Sequence, residues 1–181
     1  MNILVAYDSL FGNTERIAQA IADTLRAFGQ VQAVRIEPSQ SDESQRQAIL
    51  RQYRVTDVRL EPAHPVELQG VDVLILGCPT QASKATPAML SFLEKVSSAS
   101  LSGLAVACFD TRYRRSLWLT GSAARVMAKK LQKMGVSLLL PPESFFVKGM
   151  QGPLRSGELD RAATWALKLV KKAEASHPAM R

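Results

Sequence analysis

The sequence predicts an α/β fold in which a parallel β-sheet is covered by helices on both faces. Short apolar segments, typical of buried strands, alternate along the chain with longer segments whose apolar residues recur at helical spacing. Strands that are apolar on both sides indicate a sheet buried on both faces, and such sheets are usually parallel. With 181 residues the chain is long enough for one domain, which we expect to span residues 1–175, with residues 176–181 as a tail.

The N-terminal part of the chain begins this pattern with a strand, a helix and a second strand. Residues 3–7 form an apolar strand. The apolar residues that follow recur with the period of a helix, at Ile17, Ile21, Leu25 and Phe28. Residues 31–36 are predicted to form the second strand.

The segment between the second and third strands is largely polar, and we interpret residues 38–70 as a surface excursion, not as a second domain. Asp42 and Gln45 predict a capping box at the start of a short helix that continues to Tyr53. Residues 55–60 predict an additional strand at the edge of the sheet.

The second half of the chain supplies three more strands and three more helices. The strands are predicted at residues 71–77, 104–109 and 136–140, and the last of them resumes at residues 145–147, after two prolines. The helices are predicted at residues 87–97, 121–135 and 157–174. Periodicity places these residues on the buried side of the last two helices: Ala124, Met127, Ala128 and Leu131, then Leu159, Ala163, Ala166, Leu167 and Val170.

Composition and cysteine usage limit the kinds of protein that this chain can be. Hydrophobic residues make up 46% and charged residues 22%, and no apolar run approaches the ~20 residues that a membrane span needs. Because the chain begins directly with a strand, without the regions of a signal peptide, we expect a cytoplasmic protein. Cys78 and Cys108 fall at the ends of predicted core strands without a C-x-x-C motif, so we expect both to be buried free thiols.

The net charge of +7 is concentrated in the second half of the chain. Residues 1–90 contain 8 basic and 10 acidic residues, whereas residues 91–181 contain 15 and 6. Much of the excess lies in Arg112, Arg114, Arg115, Arg125, Lys129, Lys130 and Lys133. Such a run is usually a solvated helix face. Since only Tyr113 and Trp118 supply the aromatic residues that single-strand binders use, we expect no specific nucleic-acid binding.

The segment from Ser9 to Thr14, between the first strand and the first helix, has the character of an anion-binding loop. The first N–H groups of a helix lack internal partners, and the aligned peptide dipoles favour negative charge there. Gly12 lets the backbone approach an anion closely. Three side chains, those of Ser9, Asn13 and Thr14, each offer a hydrogen bond or a cap. The alternative is an ordinary turn in which Asn13 caps the helix.

Two further loops are expected to meet this one, because open parallel sheets bind ligands outside the carboxyl ends of the strands, where the strand order reverses. One follows the third strand at residues 77–84, and the other follows the fourth strand at residues 109–118. The second of them is long, holds two aromatic residues, and places three arginines near Asp110.

Other kinds of site find less support in the sequence. The first loop is not a Walker A loop, since Gly-Lys-Ser/Thr is missing, nor a G-x-G-x-x-G loop, since it has one glycine. A phosphatase would need C-x5-R, but Cys78 is followed at that spacing by Lys84. His64 and His177 lie in no metal-ligand pattern, so we expect no metal site.

Together the three loops resemble those of the flavodoxin-like family of FMN-binding domains. Residues 9–14 are similar to the T/S-x-T-G-N-T phosphate loop of flavodoxins, but Phe11 stands where the family usually has a hydroxyl, so one phosphate contact is lost or is made by the backbone. Residues 77–80, 109–113 and 121–122 extend the resemblance to nearly the whole chain. It implies a flavodoxin-like three-layer sandwich, with a five-stranded parallel sheet in the order 2-1-3-4-5 and helices on both faces.

The resemblance also implies that the cofactor is FMN, with its phosphate on the first loop and its isoalloxazine ring between the other two. The residues carried over by position to the first loop are Ser9, Leu10, Phe11, Gly12, Asn13 and Thr14. Those on the two sides of the ring are Pro79, Thr80, Gln81 and Ala82, and Asp110, Thr111, Arg112 and Tyr113.

We therefore predict an FMN-binding, flavodoxin-like protein that transfers electrons to or from a redox partner protein or a small-molecule acceptor or donor. One alternative is an FMN-dependent NAD(P)H:quinone-type reductase. Another is a flavin-free regulatory or docking module that uses the basic face of residues 112–133.

Two features depart from the flavodoxins that serve as electron shuttles, which are typically acidic and often clamp the flavin between two aromatic residues. Gln81 and Ala82 leave the second loop without an aromatic residue, and the third loop is basic. Reduced FMN carries negative charge at N1, so nearby cations favour its reduced form. We therefore expect a less negative reduction potential, which suits a reductase that acts on a quinone-like or anionic substrate.

Overall fold

A parallel sheet of six strands forms the centre of the described part of the chain. The computed structural model describes residues 1–54, 60–114 and 121–176. Its strands are β1 (Asn2–Tyr7), β2 (Gln30–Ile36), β3 (Ala63–His64), β4 (Val73–Pro79), β5 (Ala105–Tyr113) and β6 (Glu143–Val147), in the spatial order β3-β2-β1-β4-β5-β6. Its helices are α1 (Asn13–Leu25), α2 (Gln40–Gln52), α3 (Pro87–Lys95), α4 (Ala123–Lys133) and α5 (Glu158–Ser176), with a short 3-10 helix at Ala99–Leu101.

Helices cover both faces of this sheet, which confirms the predicted three-layer α/β fold. The side chains of β1 show why its sequence is apolar throughout. Ile3, Val5 and Tyr7 join the core that lies under α1 and α5. Leu4 and Ala6 join the core on the opposite face, under α3 and α4. Because successive side chains of a strand point to opposite faces, both sets are removed from water.

The sheet has one strand more than the five that the sequence predicts. The additional strand, β3, is two residues long and pairs with β2 at the edge of the sheet, where the surface excursion returns. This pairing satisfies backbone groups at the end of β2 that would otherwise be exposed. The other five strands keep the expected order. The edge strand predicted at residues 55–60 lies almost wholly outside the described residues, since residues 55–59 are not among them.

The fourth predicted strand is longer in the structure than in the prediction. It was expected to end at residue 109, but β5 continues to Tyr113. The reason is pairing on both sides, because Thr111 lies opposite Pro79 of β4 and Phe145 of β6. Part of the predicted third loop is therefore held in a strand.

The fifth predicted strand starts later than expected. Residues 136–140 contribute an isolated bridge between Leu138 and Val106, and the strand itself is β6. Pro141 and Pro142 have no N–H groups to donate to a ladder, so they separate the two segments.

The buried face of α5 also differs from the prediction. Trp165 is 6% exposed, and its ring centroid lies 6.1 Å from the centroids of Phe109 and Phe145. This packing rotates the helix so that Leu159 and Leu167 are exposed. The residues of α5 that are buried are Glu158, Ala162, Trp165, Ala166, Leu169, Val170 and Ala173.

The predicted faces of α1 and α4 are buried, with one exception. Phe28 follows the end of α1 and is exposed, because the helix ends at Leu25. The four predicted inward residues of α4 are all buried. In the described ranges, none of the helices combines the length and the apolar character that crossing a membrane requires.

The helix of the surface excursion, α2, is capped by a different pair of residues from the predicted one. Ser39 accepts a hydrogen bond from the N–H of Asp42, and the Asp42 carboxylate accepts one from the N–H of Ser39. The box therefore lies three residues earlier than the predicted pair of Asp42 and Gln45. Asp42 is the buried residue of this helix, so α2 does not pack against a face of the sheet as the other helices do.

Cys78 and Cys108 are both buried and free, as predicted. Burial raises the pKa of each thiol, so neither is ionised near neutral pH. A buried neutral thiol is a poor nucleophile.

Candidate functional site

A cleft of about 290 Å³ opens at the carboxyl ends of the central strands. It lies where the strand order reverses between β1 and β4, the place at which open parallel sheets bind ligands. All three predicted loops reach it. The predicted residues in its wall are Leu10, Phe11, Asn13, Thr14, Pro79, Thr80, Gln81, Ala82, Thr111, Arg112 and Tyr113. Ser9, Gly12 and Asp110 are not part of the wall.

Gly12 is the N-cap residue that precedes α1, and its backbone is left-handed, with a φ of 79°. The helix starts with a hydrogen bond of 3.1 Å from the N–H of Arg16 to the carbonyl of Gly12. Within the described residues, nothing accepts a hydrogen bond from the backbone N–H groups of residues 10–14. The turn therefore leaves a group of donors at the positive end of a helix dipole, beside the cleft.

The side chains of the first loop connect it to its neighbours. Asn13 is the first helical residue, not the cap, and its Nδ2 donates to the carbonyl of Gln151 at 2.9 Å. The hydroxyls of Thr14 and Thr111 share a buried hydrogen bond of 2.7 Å. Ser9 is fully buried, and its Oγ accepts a long hydrogen bond of 3.4 Å from the N–H of Glu15. These contacts fix the loop against β5 and against the segment after β6.

Asp110 lies beneath the cleft and holds the other two loops together. Its Oδ2 accepts hydrogen bonds from Thr80 Oγ1 at 3.0 Å, Ser122 Oγ at 2.6 Å and the N–H of Ala124 at 3.0 Å. Thr80 Oγ1 in turn accepts from the N–H of Ala123 at 2.8 Å. One carboxylate thus joins the loop after β4 to the N-terminus of α4, whose dipole favours its negative charge.

Arg112 and Tyr113 form the wall at the end of β5. Arg112 is buried, its Nε donates to Ser144 Oγ at 3.1 Å, and its guanidinium carbon lies 5.2 Å from the ring centroid of Phe146. Tyr113 is 42% exposed at the mouth of the cleft. The positive charge of Arg112 is therefore held in place beside the ring of Phe146.

Residues at the C-terminal end of α2 form part of the cleft wall, which the sequence prediction does not include. Tyr53 packs edge-on against Phe11, with ring centroids 6.0 Å apart. Its hydroxyl lies 3.7 Å from Met150 Sδ, and its carbonyl accepts from Gln151 Nε2 at 3.3 Å. We call this contact, between α2 and the segment after β6, the α2 bridge. The wall residues missing from the prediction are Ile49, Gln52, Tyr53, Val147 and Met150.

One sequence signal could have found the α2 bridge. Ile49 and Tyr53 are four residues apart in an otherwise polar helix, so they share a face. No comparable signal marks Met150, which lies in an irregular segment.

A small cavity of about 30 Å³ adjoins the cleft, and Asp8, which follows β1, is one of its lining residues. Burial raises the pKa of the Asp8 carboxyl, although hydrogen bonds from Thr86 and from the N–H of Ser9 oppose the shift. The charges of Arg35 and Arg46 act in the same direction as those hydrogen bonds.

The basic residues 112–133 do not form one continuous face in the described residues. Arg112 lies in the cleft wall, whereas Arg125, Lys129 and Lys133 are exposed on α4. Lys130 Nζ forms an ion pair of 2.8 Å with Glu94 Oε1. Residues 115–120, which include Arg115 and Trp118, lie outside the described residues.

Comparison with known proteins shows similarity of fold over the whole chain and of sequence over part of it. No protein-family model matches the chain. An NAD(P)H dehydrogenase (quinone) from Acidithiobacillus ferrooxidans is 33% identical over 94 residues, which are 51% of this chain and 46% of that protein. The match therefore spans less than half the length of this relative.

Two solved structures superpose on almost all of the chain. A flavodoxin from the domain Archaea has a TM-score of 0.66 and 20% identity, covering 96% of this chain and 99% of that one. The flavodiiron protein from Giardia intestinalis has a TM-score of 0.67 and 16% identity, covering 99% of this chain and 37% of that one. These likenesses show that the fold is flavodoxin-like.

Proposed function

We propose that the cleft binds FMN and that the protein transfers electrons through it. The observation that carries this proposal is the meeting of three loops where the strand order reverses. One loop offers N–H groups at a helix N-terminus that have no acceptor among the described residues, and the other two loops line the same cleft. The flavodoxin-like fold supports the same cofactor.

The first loop fits the phosphate of FMN. The N–H groups of residues 10–14 would donate to its oxygens, and the dipole of α1 would favour its negative charge. Phe11 would bind the phosphate through its backbone N–H alone, because its side chain has no hydroxyl. The negative charge of Glu15, in the first turn of α1, would repel the phosphate. Its carboxylate is held by a hydrogen bond of 3.2 Å that it accepts from the N–H of Glu61.

The remaining cleft fits the isoalloxazine ring. Its volume of about 290 Å³ lies at the lower end of the range for small-molecule sites, and it is open at Tyr113. Pro79 and Ala82 would line one side of the ring and Arg112 the other. Bound FMN supplies a ring that accepts and donates electrons. The chain would position that ring between the two loops and place the charge of Arg112 beside it.

The proposal is tested by titrating the protein with FMN and with riboflavin, which lacks the phosphate, and following the quenching of flavin fluorescence. Each charge-assisted hydrogen bond contributes ~1.5–3 kcal/mol, so three of them make FMN bind at least about a hundredfold more tightly than riboflavin. Equal affinities would mean that the first loop does not hold the phosphate. A protein that binds neither compound would be the flavin-free docking module.

A second candidate function is that of an FMN-dependent NAD(P)H:quinone-type reductase. The partial match to an NAD(P)H dehydrogenase (quinone) favours it. Oxidation of NAD(P)H by the FMN-loaded protein that requires a quinone would support the reductase. An FMN-loaded protein that is reduced by dithionite but not by NAD(P)H would be an electron carrier.

We further propose that the protein works in the cytoplasm with a redox partner protein or a small-molecule donor or acceptor. The reducing environment there keeps thiols such as Cys78 and Cys108 free, as they are in the structure.

A further inference from the structure

Exposed basic side chains follow the cleft wall along the chain, among them Arg51 and Arg155. Four segments that contribute to the wall each carry an exposed cation that follows a wall residue by one or two positions. These cations are Arg54 after α2, Lys84 between β4 and α3, Arg114 after β5 and Lys148 after β6. We call these four residues the basic rim.

Among the described residues, few acidic side chains lie near the basic rim. The segments that carry it, residues 50–54, 79–86, 113–114 and 148–157, contain neither aspartate nor glutamate. Near Arg114, Glu143 and Glu158 are paired with Arg161, which lies over the same Phe146 ring. Asp8 and Asp110 lie nearby but are buried. Glu15 and Glu61 lie together beside the first turn of α1, on one side of the site. Among the described residues, positive charge therefore exceeds negative charge in these segments.

The centre of the basic rim is apolar. Tyr113 is 42% exposed and Met150 is 69% exposed, and both belong to the cleft wall. Most other large apolar side chains of the described residues are buried or half-buried. Exposed aromatic and methionine side chains within a polar, charged border are typical of surfaces that bind other proteins.

We propose that the basic rim and its apolar centre form a docking surface for a protein with an acidic surface patch. The inference rests on the proposed function in one respect, because a protein that exchanges electrons with FMN in the cleft has to approach through this mouth. Four cations on four separate segments suit a broad complementary surface better than they suit one small anion, which a single bidentate arginine would hold. A concave mouth also suits a protrusion of a protein better than it suits a flat lipid surface.

The experiment measures binding of an acidic protein, a plant-type [2Fe–2S] ferredoxin, to the protein with and without added FMN. One variant combines Lys84→Glu, Arg114→Glu and Lys148→Glu. The matched control combines Lys133→Glu, Lys168→Glu and Lys171→Glu, which changes the net charge equally at exposed positions on α4 and α5. At about 50 mM salt the rim variant is expected to bind ferredoxin at least about tenfold more weakly, and the control less than about threefold.

Several results would overturn the docking surface. One is the absence of measurable ferredoxin binding to the unmodified protein at low salt. Another is an equal loss in both variants, which would mean that affinity follows net charge and not position. A third is rim-dependent binding to phosphatidylglycerol vesicles while ferredoxin binding is unchanged, which would assign the surface to a membrane. Circular dichroism and thermal melting of both variants establish that they are folded.

The same samples separate this inference from the proposed function. Titration with FMN shows whether the cleft binds flavin, independently of ferredoxin binding. If ferredoxin binding depends on the basic rim but no FMN binds, the docking surface stands and the proposed function fails. If FMN binds but both variants bind ferredoxin alike, the proposed function stands and the docking surface fails.

Discussion

Gly12 is the single residue on which the geometry of the first loop depends most. Its φ of 79° lies in the left-handed region, which residues with a Cβ adopt at a cost of roughly 1–2 kcal/mol. A Cβ placed there would meet Leu60 Cδ2 at 4.0 Å, so the backbone conformation and not crowding is what requires glycine.

We predict that Gly12→Val weakens FMN binding more than Tyr113→Ala does. The valine cannot hold the turn that exposes the N–H groups of residues 10–14, and each lost hydrogen bond to phosphate costs ~1.5–3 kcal/mol. Stacking on Tyr113 contributes about 0.5–1.5 kcal/mol beyond burial. Fluorescence-quenching titration of both variants measures the difference. The reverse order of affinities would show that the ring, and not the phosphate, dominates binding.

The raised pKa of Asp8 leads to a prediction about how the stability of the protein depends on pH. Its pKa in the folded protein is raised by burial, so it contributes stability below its unfolded pKa of ~3.9, and that stability is lost as the pH rises through the folded value. We therefore expect Asp8→Asn, which keeps an acceptor for Thr86, to raise the free energy of unfolding near pH 7 and to have less effect near pH 4. Urea titrations at both pH values test this. An equal effect at the two pH values would contradict burial as the cause.

Asp110 marks the limit of what the sequence predicts about single residues. The sequence predicts that it follows a strand and lies beside the ring, whereas in the structure it lies within β5 and outside the cleft wall. Its role depends on Thr80, Ser122 and Ala124, which are distant in sequence and are brought to one carboxylate by the fold. Periodicity contains no information about such long-range hydrogen bonds.

At the scale of elements, α5 shows why periodicity predicts a helix better than it predicts the face that the helix buries. The spacing of the leucines predicts one buried face for α5. In the structure, the packing of Trp165 against Phe109 and Phe145 buries a different face. Trp165 is the largest side chain of the helix, and burying it outweighs the exposure of Leu159 and Leu167.

We predict that Trp165→Ala lowers the free energy of unfolding by about 3–5 kcal/mol, because it leaves a cavity against two phenylalanine rings. Leu167→Ala is the matched control on the same helix. Its side chain is 41% exposed, so a change within about 0.5 kcal/mol is expected. Chemical denaturation measures both. A larger loss from Leu167→Ala would place the buried face of α5 where the periodicity predicts it.

At the scale of the whole molecule, the alternation of apolar strands and amphipathic helices suffices to predict the layers, whereas the order of the five main strands is predicted only by the resemblance of the loops to the flavodoxin-like family. We propose that residues 1–175 form one domain, since both cores lie against the same sheet. The sequence does not predict β3, because two residues are too few to carry a strand pattern. The spacing of Ile49 and Tyr53 indicates one face of α2, but it does not indicate the partner of that face in the α2 bridge, which lies about a hundred residues away in the sequence.

The positive charge that Arg112 places at the cleft leads to a prediction about the reduction potential of bound FMN. Arg112 is held beside the cleft by Ser144 and by the ring of Phe146. We expect Arg112→Gln to make the reduction potential of bound FMN more negative, by roughly 40–130 mV for a one-electron step, since a cation at interacting distance contributes ~1–3 kcal/mol. Lys133→Gln removes the same charge from the far end of α4 and is the control. Redox titrations that give the same shift for both variants would refute a local effect of Arg112.

The α2 bridge has a consequence for how fast a ligand is exchanged. Tyr53 contacts Phe11 and Met150, and all three side chains belong to the cleft wall, so a bound ligand leaves through the open side at Tyr113 or displaces the end of α2. Each contact with the bridge that has to break slows departure, and differences between related complexes lie mostly in the rate of departure. If the cleft binds FMN, the yellow colour that remains after prolonged dialysis measures how long the flavin resides there.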